Sequence, residues 1–246
     1  MFPLSDENPT RITPYVTYGF ITINILVFLH EFTLPDAQLC QFFQTYALVP
    51  RQLSESFGVL VPFTRSAFQC PVIFAANQGL PEWGTLFTSQ FLHGGWWHLI
   101  SNMVYLWVFG NNIEDRLGHF KYIIFYLACG ALAALCQYTI SPGSMIPSLG
   151  ASGAIAGVLG AYVIRFPRAV VNTIVFLFIF ITTIRVPAYV LIGFFVIQNV
   201  ISGVASLQTA AGMGVETGGV AYWAHIGGFV FGLILAPLLG LFNRDY

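Results

Sequence analysis

Ser152 lies in Gly150-Ala151-Ser152-Gly153, at the mouth of an apolar segment that runs to Val163 before Arg165. A serine hydroxyl is a poor nucleophile until a base takes its proton. His225, in Ala224-His225-Ile226-Gly227-Gly228, is the natural base, because imidazole changes charge near neutrality. Two more polar residues, His98 and Asn102, stand four apart in His93-Gly94-Gly95-Trp96-Trp97-His98-Leu99-Ile100-Ser101-Asn102, so a helix presents both on one face. The chemistry these residue types suit is acyl transfer. Ser152 would attack a carbonyl, and the developing oxyanion would need donors. The Asn102 amide, a His98 ring N–H and the Ser152 backbone N–H near a helix start are the candidates. None of the ten acidic residues falls in the middle of an apolar span, which favours a Ser–His dyad over a triad.

These residues need elements that hold them at one level. The chain is 57% hydrophobic and only 8% charged, whereas a soluble domain carries about 25% charged residues. Several apolar runs approach the roughly 20 residues that cross a bilayer. The expectation is an all-α polytopic membrane protein. Its candidate spans are about Tyr15–Phe32, Leu92–Val108 continuing toward Ile113, Phe120–Ile140, Leu149–Val163 and Val220–Phe242. Residues 33–91 form a long first loop whose apolar pieces are too short to cross. Between Ala169 and Val204 the pattern admits two spans, or one span preceded by a piece along the inner surface or extending the fifth helix.

Basic residues choose between these. With six spans and the N-terminus inside, Arg11, Arg116, Lys121, Arg165, Arg168, Arg185 and Arg244 fall inside, and only Arg51 and Arg65 outside, as the positive-inside rule asks. The second, fourth and sixth spans then run the same way, and His98, Ser152 and His225 share a depth near the outer face. A complete extra span at 169–184 would reverse the last helix and carry His225 to the other side.

Each residue also has an ordinary reading. Glycine and serine are common where membrane helices touch, and His98 with Asn102 could be an interhelical hydrogen-bond pair. His93 reads as an interfacial histidine. Gly153 and Gly157, and Gly228 and Gly232, have the spacing that lets helices approach closely. All these groups at one depth is what favours chemistry.

Other classes find little support. A net charge of −1 offers no basic face for nucleic acid. No CxxC or other metal pattern exists, His30-Glu31 does not continue to HExxH, and no cofactor motif is present. There is no internal repeat of the kind transporters show. No soluble domain is expected at either end, and function is expected in the membrane core. Cys129 and Cys136 read as core residues, whereas Cys40 and Cys70 share the outer loop, and whether they form a disulfide stays open.

Gly150-Ala151-Ser152-Gly153, His98-x-x-x-Asn102, Ala224-His225-Ile226-Gly227-Gly228 and Gly110-Asn111-Asn112-Ile113-Glu114-Asp115-Arg116-Leu117-Gly118 together resemble the rhomboid intramembrane serine proteases, over about Trp83 to Leu241. The resemblance implies one six-helix rhomboid-like domain over residues 1–246, with a short cytoplasmic N-terminus (1–14) and a long first extracytoplasmic loop (33–91). It implies cleavage of transmembrane protein substrates within the lipid bilayer near the outer face. Ser152 would be nucleophile, His225 base, His98 and Asn102 the oxyanion site, and Glu114 and Arg116 would hold the loop after the second helix. No cofactor, metal or nucleic acid is implied. The expected location is a bacterial cell membrane with both termini cytoplasmic; the alternative function is a non-proteolytic rhomboid-like protein that binds membrane clients. The chain departs from some members at Ala156, where an aromatic stacks on the catalytic histidine, which leaves open what orients His225. It departs again at Trp83-Gly84, where a Trp-Arg pair is found. The glycine- and alanine-rich residues 206–219 are expected to be a loop capping the site.

Overall fold

A computed structural model describes residues 2–61, 80–177, 180–213 and 219–243. A short strand β1 (Phe2–Asp6) leads to α1 (Tyr15–Thr33). Two short helices follow, α2 (Asp36–Tyr46) and α3 (Pro50–Ser56), and a helical turn α4 (Thr85–Thr88). Next, α5 (Trp96–Tyr105) passes through a π-helical turn at Leu106–Gly110 into α6 (Asn111–Leu117). Gly118, at φ 78°, breaks the chain and starts α7 (His119–Ile140). The bundle is completed by α8 (Ser152–Arg165), the strands β2 (Val170–Leu177) and β3 (Phe180–Pro187), α9 (Ala188–Met213) and α10 (Tyr222–Leu238).

Among the described residues, three helices are long and apolar enough to cross a membrane: Tyr15–Thr33, His119–Ile140 and Ala188–Thr209. Ser152–Arg165 and Tyr222–Leu238 are apolar but shorter. Large apolar side chains face outward, among them Leu26, Phe120, Ile201 and Leu238, a surface that lipid covers and water does not tolerate. Inside, Phe109, Tyr122, Phe125, Tyr126 and Tyr162 are fully buried.

Glycines set the tightest contacts. A Cβ on Gly228 would meet the Gly153 carbonyl oxygen at 2.1 Å, and one on Gly232 the Gly157 carbonyl oxygen at the same distance. Because 153 is level with 228 and 157 with 232, α8 and α10 run parallel. On the other side a Cβ on Gly153 would meet Ala133, and one on Gly157 would meet Cys129, so α7 runs antiparallel to both.

The fold is not all-α. β1, β2 and β3 form an antiparallel sheet in that order, with Phe2 opposite Ile174 and Val170 opposite Pro187. Residues 170–187, expected along the inner surface or as part of the fifth helix, are a hairpin. Their physical reason is composition: Val171, Thr173, Ile174 and Val175 face Val186, Ile184, Thr183 and Thr182, and β-branched side chains suit a pleated surface. The hairpin closes on itself, with the Ala188 N–H donating to the Ala169 carbonyl at 2.9 Å, so the chain returns to the end where α8 left it.

Acidic residues pin that end. Glu114, fully buried, accepts the first amides of α1 from Val16 (2.9 Å) and Thr17 (2.8 Å), the Thr17 hydroxyl and the His119 ring N–H. These amides have no partner within α1, and a carboxylate suits the positive end of a helix. Asp115 accepts the Arg11 and Ile12 amides, both at 3.0 Å. Asp6 accepts the Tyr162 hydroxyl (2.6 Å) and the Asn112 amide (2.9 Å), and burial pushes its carboxyl above the ordinary range. Glu114 thus ties the start of α1 to His119 at the start of α7, while Arg116 and Arg165 both lie over the Phe166 ring.

Candidate active site

The segment entering α8 is fixed before Ser152 is reached. Ser148 exchanges two backbone hydrogen bonds with Leu48, and the Gly150 N–H donates to the Ser89 carbonyl at 2.8 Å. Gly150 then turns at φ 124°, a conformation side chains rarely adopt. Helix α8 begins at Ser152, so its first amides lack carbonyls four residues back.

His225, on the first turn of α10, points Nε2 at Ser152 Oγ across 2.7 Å. The parallel glycine seam between α8 and α10 makes this approach geometrically available. His225 is 9% exposed. Its other ring nitrogen, Nδ1, lies 2.6 Å from Asn199 Oδ1 on α9, and the Phe195 ring sits 5.8 Å from the imidazole. Sequence reasoning passed over Asn199. The signal was there: Gln198-Asn199 interrupts an apolar run, and a polar side chain in hydrocarbon is costly. Ala156, one turn beyond Ser152 on α8, supplies no ring.

His98 and Asn102 come from α5. His98 Nδ1 accepts the Gly94 N–H at 3.4 Å, so a neutral ring carries its proton on Nε2. That nitrogen lies 2.7 Å from where a Gly150 side chain would begin, a point itself 3.7 Å from Ser152 Oγ. The Asn102 amide donates to His93 Nε2 at 3.0 Å. His93, expected at the interface, is instead buried, with its backbone N–H directed at the Glu31 carboxylate, 3.3 Å away. The reason is Glu31 itself: a buried acid at the end of α1 needs a donor.

Ser152, His225, His98 and Asn102 line one cavity of about 930 Å³. Its walls come from α5 (Trp97, Ser101, Tyr105), α8 (Ile155, Leu159) and α9 (Phe195, Leu207). Residues 206–213, expected as part of a loop, continue α9 to Met213; the stretch has few helix breakers before Gly212. The rest of that expected cap, 214–218, lies outside the described residues. So does Cys70; Cys40 is disulfide-bonded, whereas Cys129 and Cys136 are free.

The residue types and spacing have counterparts elsewhere. The pattern of the Rhomboid domain matches residues 80–242. The chain is 34% identical over 161 residues to Rhomboid protease GluP of Bacillus subtilis, covering 65% of this chain and 27% of that protein. It is 33% identical over 150 residues to the mitochondrial Rhomboid protein 1 of Saccharomyces cerevisiae (59% and 39%). It is 30% identical over 172 residues to the chloroplastic Rhomboid-like protein 11 of Arabidopsis thaliana (66% and 54%). The chain thus spans between about a quarter and a little over half the length of these relatives. Organellar relatives stand beside a bacterial one, so the similarity does not select the bacterial membrane expected from the sequence. With two thirds of its length matched and its serine, histidines and glycines set in one helical bundle, the chain belongs to the rhomboid family, membrane-embedded proteins that are generally intramembrane serine proteases.

Proposed function

We propose that this protein is an intramembrane serine endopeptidase that cleaves transmembrane-segment substrates through a Ser152–His225 dyad. The observation that carries the reading is the 2.7 Å contact between His225 Nε2 and Ser152 Oγ at the wall of a 930 Å³ cavity. His225 takes the Ser152 proton as the hydroxyl attacks the scissile carbonyl. The His98 Nε2–H, the Asn102 amide and the first amides of α8 stabilise the oxyanion. His225 then protonates the leaving amine, and water resolves the acyl-enzyme. An intact helix shields its carbonyls, so the substrate unwinds at the site.

Six spans remain the preferred count: α1, α5 continued through α6, α7, α8, α9 and α10, with the sheet at one end and the dyad near the other. Arg11, Arg116, Lys121, Arg165, Arg168 and Arg185 gather toward the sheet end, which supports that end facing inward. The Cys40 disulfide belongs to the opposite end, which supports the dyad facing an oxidising compartment.

The test is cleavage of a labelled transmembrane peptide by purified protein. Ser152→Ala and His225→Ala each abolish it, while Asn102→Ala leaves a trace, since one oxyanion donor is worth roughly 10²–10³ in rate. Undiminished cleavage by Ser152→Ala would sink the reading. Wild-type protein that binds the peptide without cutting it, and ignores a fluorophosphonate, would favour the non-proteolytic client-binding alternative.

A further inference from the structure

We propose that Asn199 is a positioning residue that fixes the tautomer of His225, so that Ser152 meets a ring nitrogen able to accept its proton. The proposal rests on the serine–histidine reading above and deepens it.

The argument follows the protons. Asn199 sits on α9, whose helix leaves the Phe195 carbonyl within reach of its side chain. The Asn199 Nδ2–H donates to that carbonyl at 2.8 Å, one turn back. This bond settles which way the amide faces: its nitrogen is engaged along α9, and Oδ1 is directed at His225 Nδ1, 2.6 Å away. An amide oxygen only accepts, so Nδ1 must carry the hydrogen. A neutral imidazole has one N–H, so Nε2 is left with its lone pair, 2.7 Å from Ser152 Oγ. The opposite tautomer would put two oxygen acceptors and one N–H in the wrong order: Nδ1 would face Oδ1 lone pair to lone pair.

Asn199 is 7% exposed, so water does not substitute for it. The same helix supplies the Phe195 ring that flanks the imidazole. Orientation therefore comes from α9, whereas the nucleophile comes from α8 and the base from α10. An amide does this without adding charge to a buried site. When His225 takes the serine proton, the Oδ1 dipole still points at Nδ1–H and favours the imidazolium. Among the described residues, few groups that titrate lie around His225. His98 and Tyr105 line the same cavity from α5, Cys136 packs from α7 against Gly227, and Tyr222 precedes His225 on α10. Helices α8 and α9 face it with Ser152, Asn199 and Phe195, none of which titrates.

The experiment measures two things on the full purified chain: the rate of labelling by a fluorophosphonate across pH, and kcat and KM for the labelled transmembrane peptide. Asn199→Leu keeps the size and loses the acceptor; kcat is expected to fall roughly 10- to 100-fold with KM within about twofold. Asn199→Asp restores an acceptor and adds a negative charge. It is expected to recover most of the leucine variant's loss. It also favours the imidazolium, so the acid limb of its rate profile moves about one unit or more to higher pH. A residue that only packs would give neither the rescue nor the shift. If Asn199→Leu does not fold, the Asn199→Asp profile decides alone. A profile for Asn199→Asp superimposable on wild type overturns the proposal while leaving the dyad standing, provided labelling depends on Ser152. Labelling that persists in Ser152→Ala breaks the dyad reading and this proposal together.

Discussion

Gly228→Ala should cripple the site without touching any group that does chemistry. A Cβ at 228 would lie 2.1 Å from the Gly153 carbonyl oxygen, and ordinary contact begins near 3.4 Å. The shortfall is about 1.3 Å, and both partners are backbone, so no side chain can rotate away. The helices must part. Gly153 adjoins Ser152, and Gly228 lies one turn beyond His225, so the parting acts where the dyad is built. Lengthening the Ser152–His225 contact from 2.7 Å by only about 0.8 Å takes it out of hydrogen-bond range. Misplacement on the order of 1 Å costs about 10²-fold in rate, or about 2.7 kcal/mol. Overpacking lowers stability by about 1–3 kcal/mol besides. The assay is peptide cleavage in detergent together with thermal unfolding. Gly193→Ala is the comparison, because a Cβ there meets nothing within 4 Å. A Gly228→Ala rate within about twofold of wild type would refute the argument that the glycine seam sets the dyad.

Three further outcomes follow from other contacts. Gly150→Ala combines a strained φ of 124° with a Cβ 2.7 Å from the His98 ring; cleavage should fall at least tenfold, and unchanged cleavage would remove His98 from the oxyanion site. Glu114→Gln turns one oxygen into a donor facing donors, so denaturant titration should read a loss of about 2–3 kcal/mol, and a loss under about 0.5 kcal/mol would show that Glu114 does not cap α1. Asp6 has its carboxyl raised by burial, so the folded state holds the proton more tightly than the unfolded one. Its contribution is fully present below the unfolded value of 3.8 and is lost as pH rises from there through the folded value. Asp6→Asn should flatten that slope in a pH series of melting temperatures, and a slope of unaltered size would assign it to another group.

The residues that meet at the cavity were legible because each interrupts an apolar run, and counting from the start of each run gives depth. The glycine pairs were legible because their spacing repeats on two segments. The hairpin was hidden by the same hydropathy that revealed the helices: Val170 to Val186 is apolar enough to pass for buried helix, and its β-branched composition carries less weight than length. Asn199 was missed because a third partner for His225 was sought among carboxylates, and an amide does the same orienting without charge. His93 was misjudged because its burial depends on Glu31, sixty-two residues earlier, and no local pattern reports that.

The sheet has a consequence for the order in which this protein matures. Residues 2–6 are synthesised well before their partners, residues 171–174. Helices α1 to α8 must be made before β1 can find β2, and a loop that long closes slowly. Asp6 likewise waits for Tyr162 on α8. The first strand is therefore a clasp that shuts late, and its protection from protease during translation would time the arrival of the hairpin.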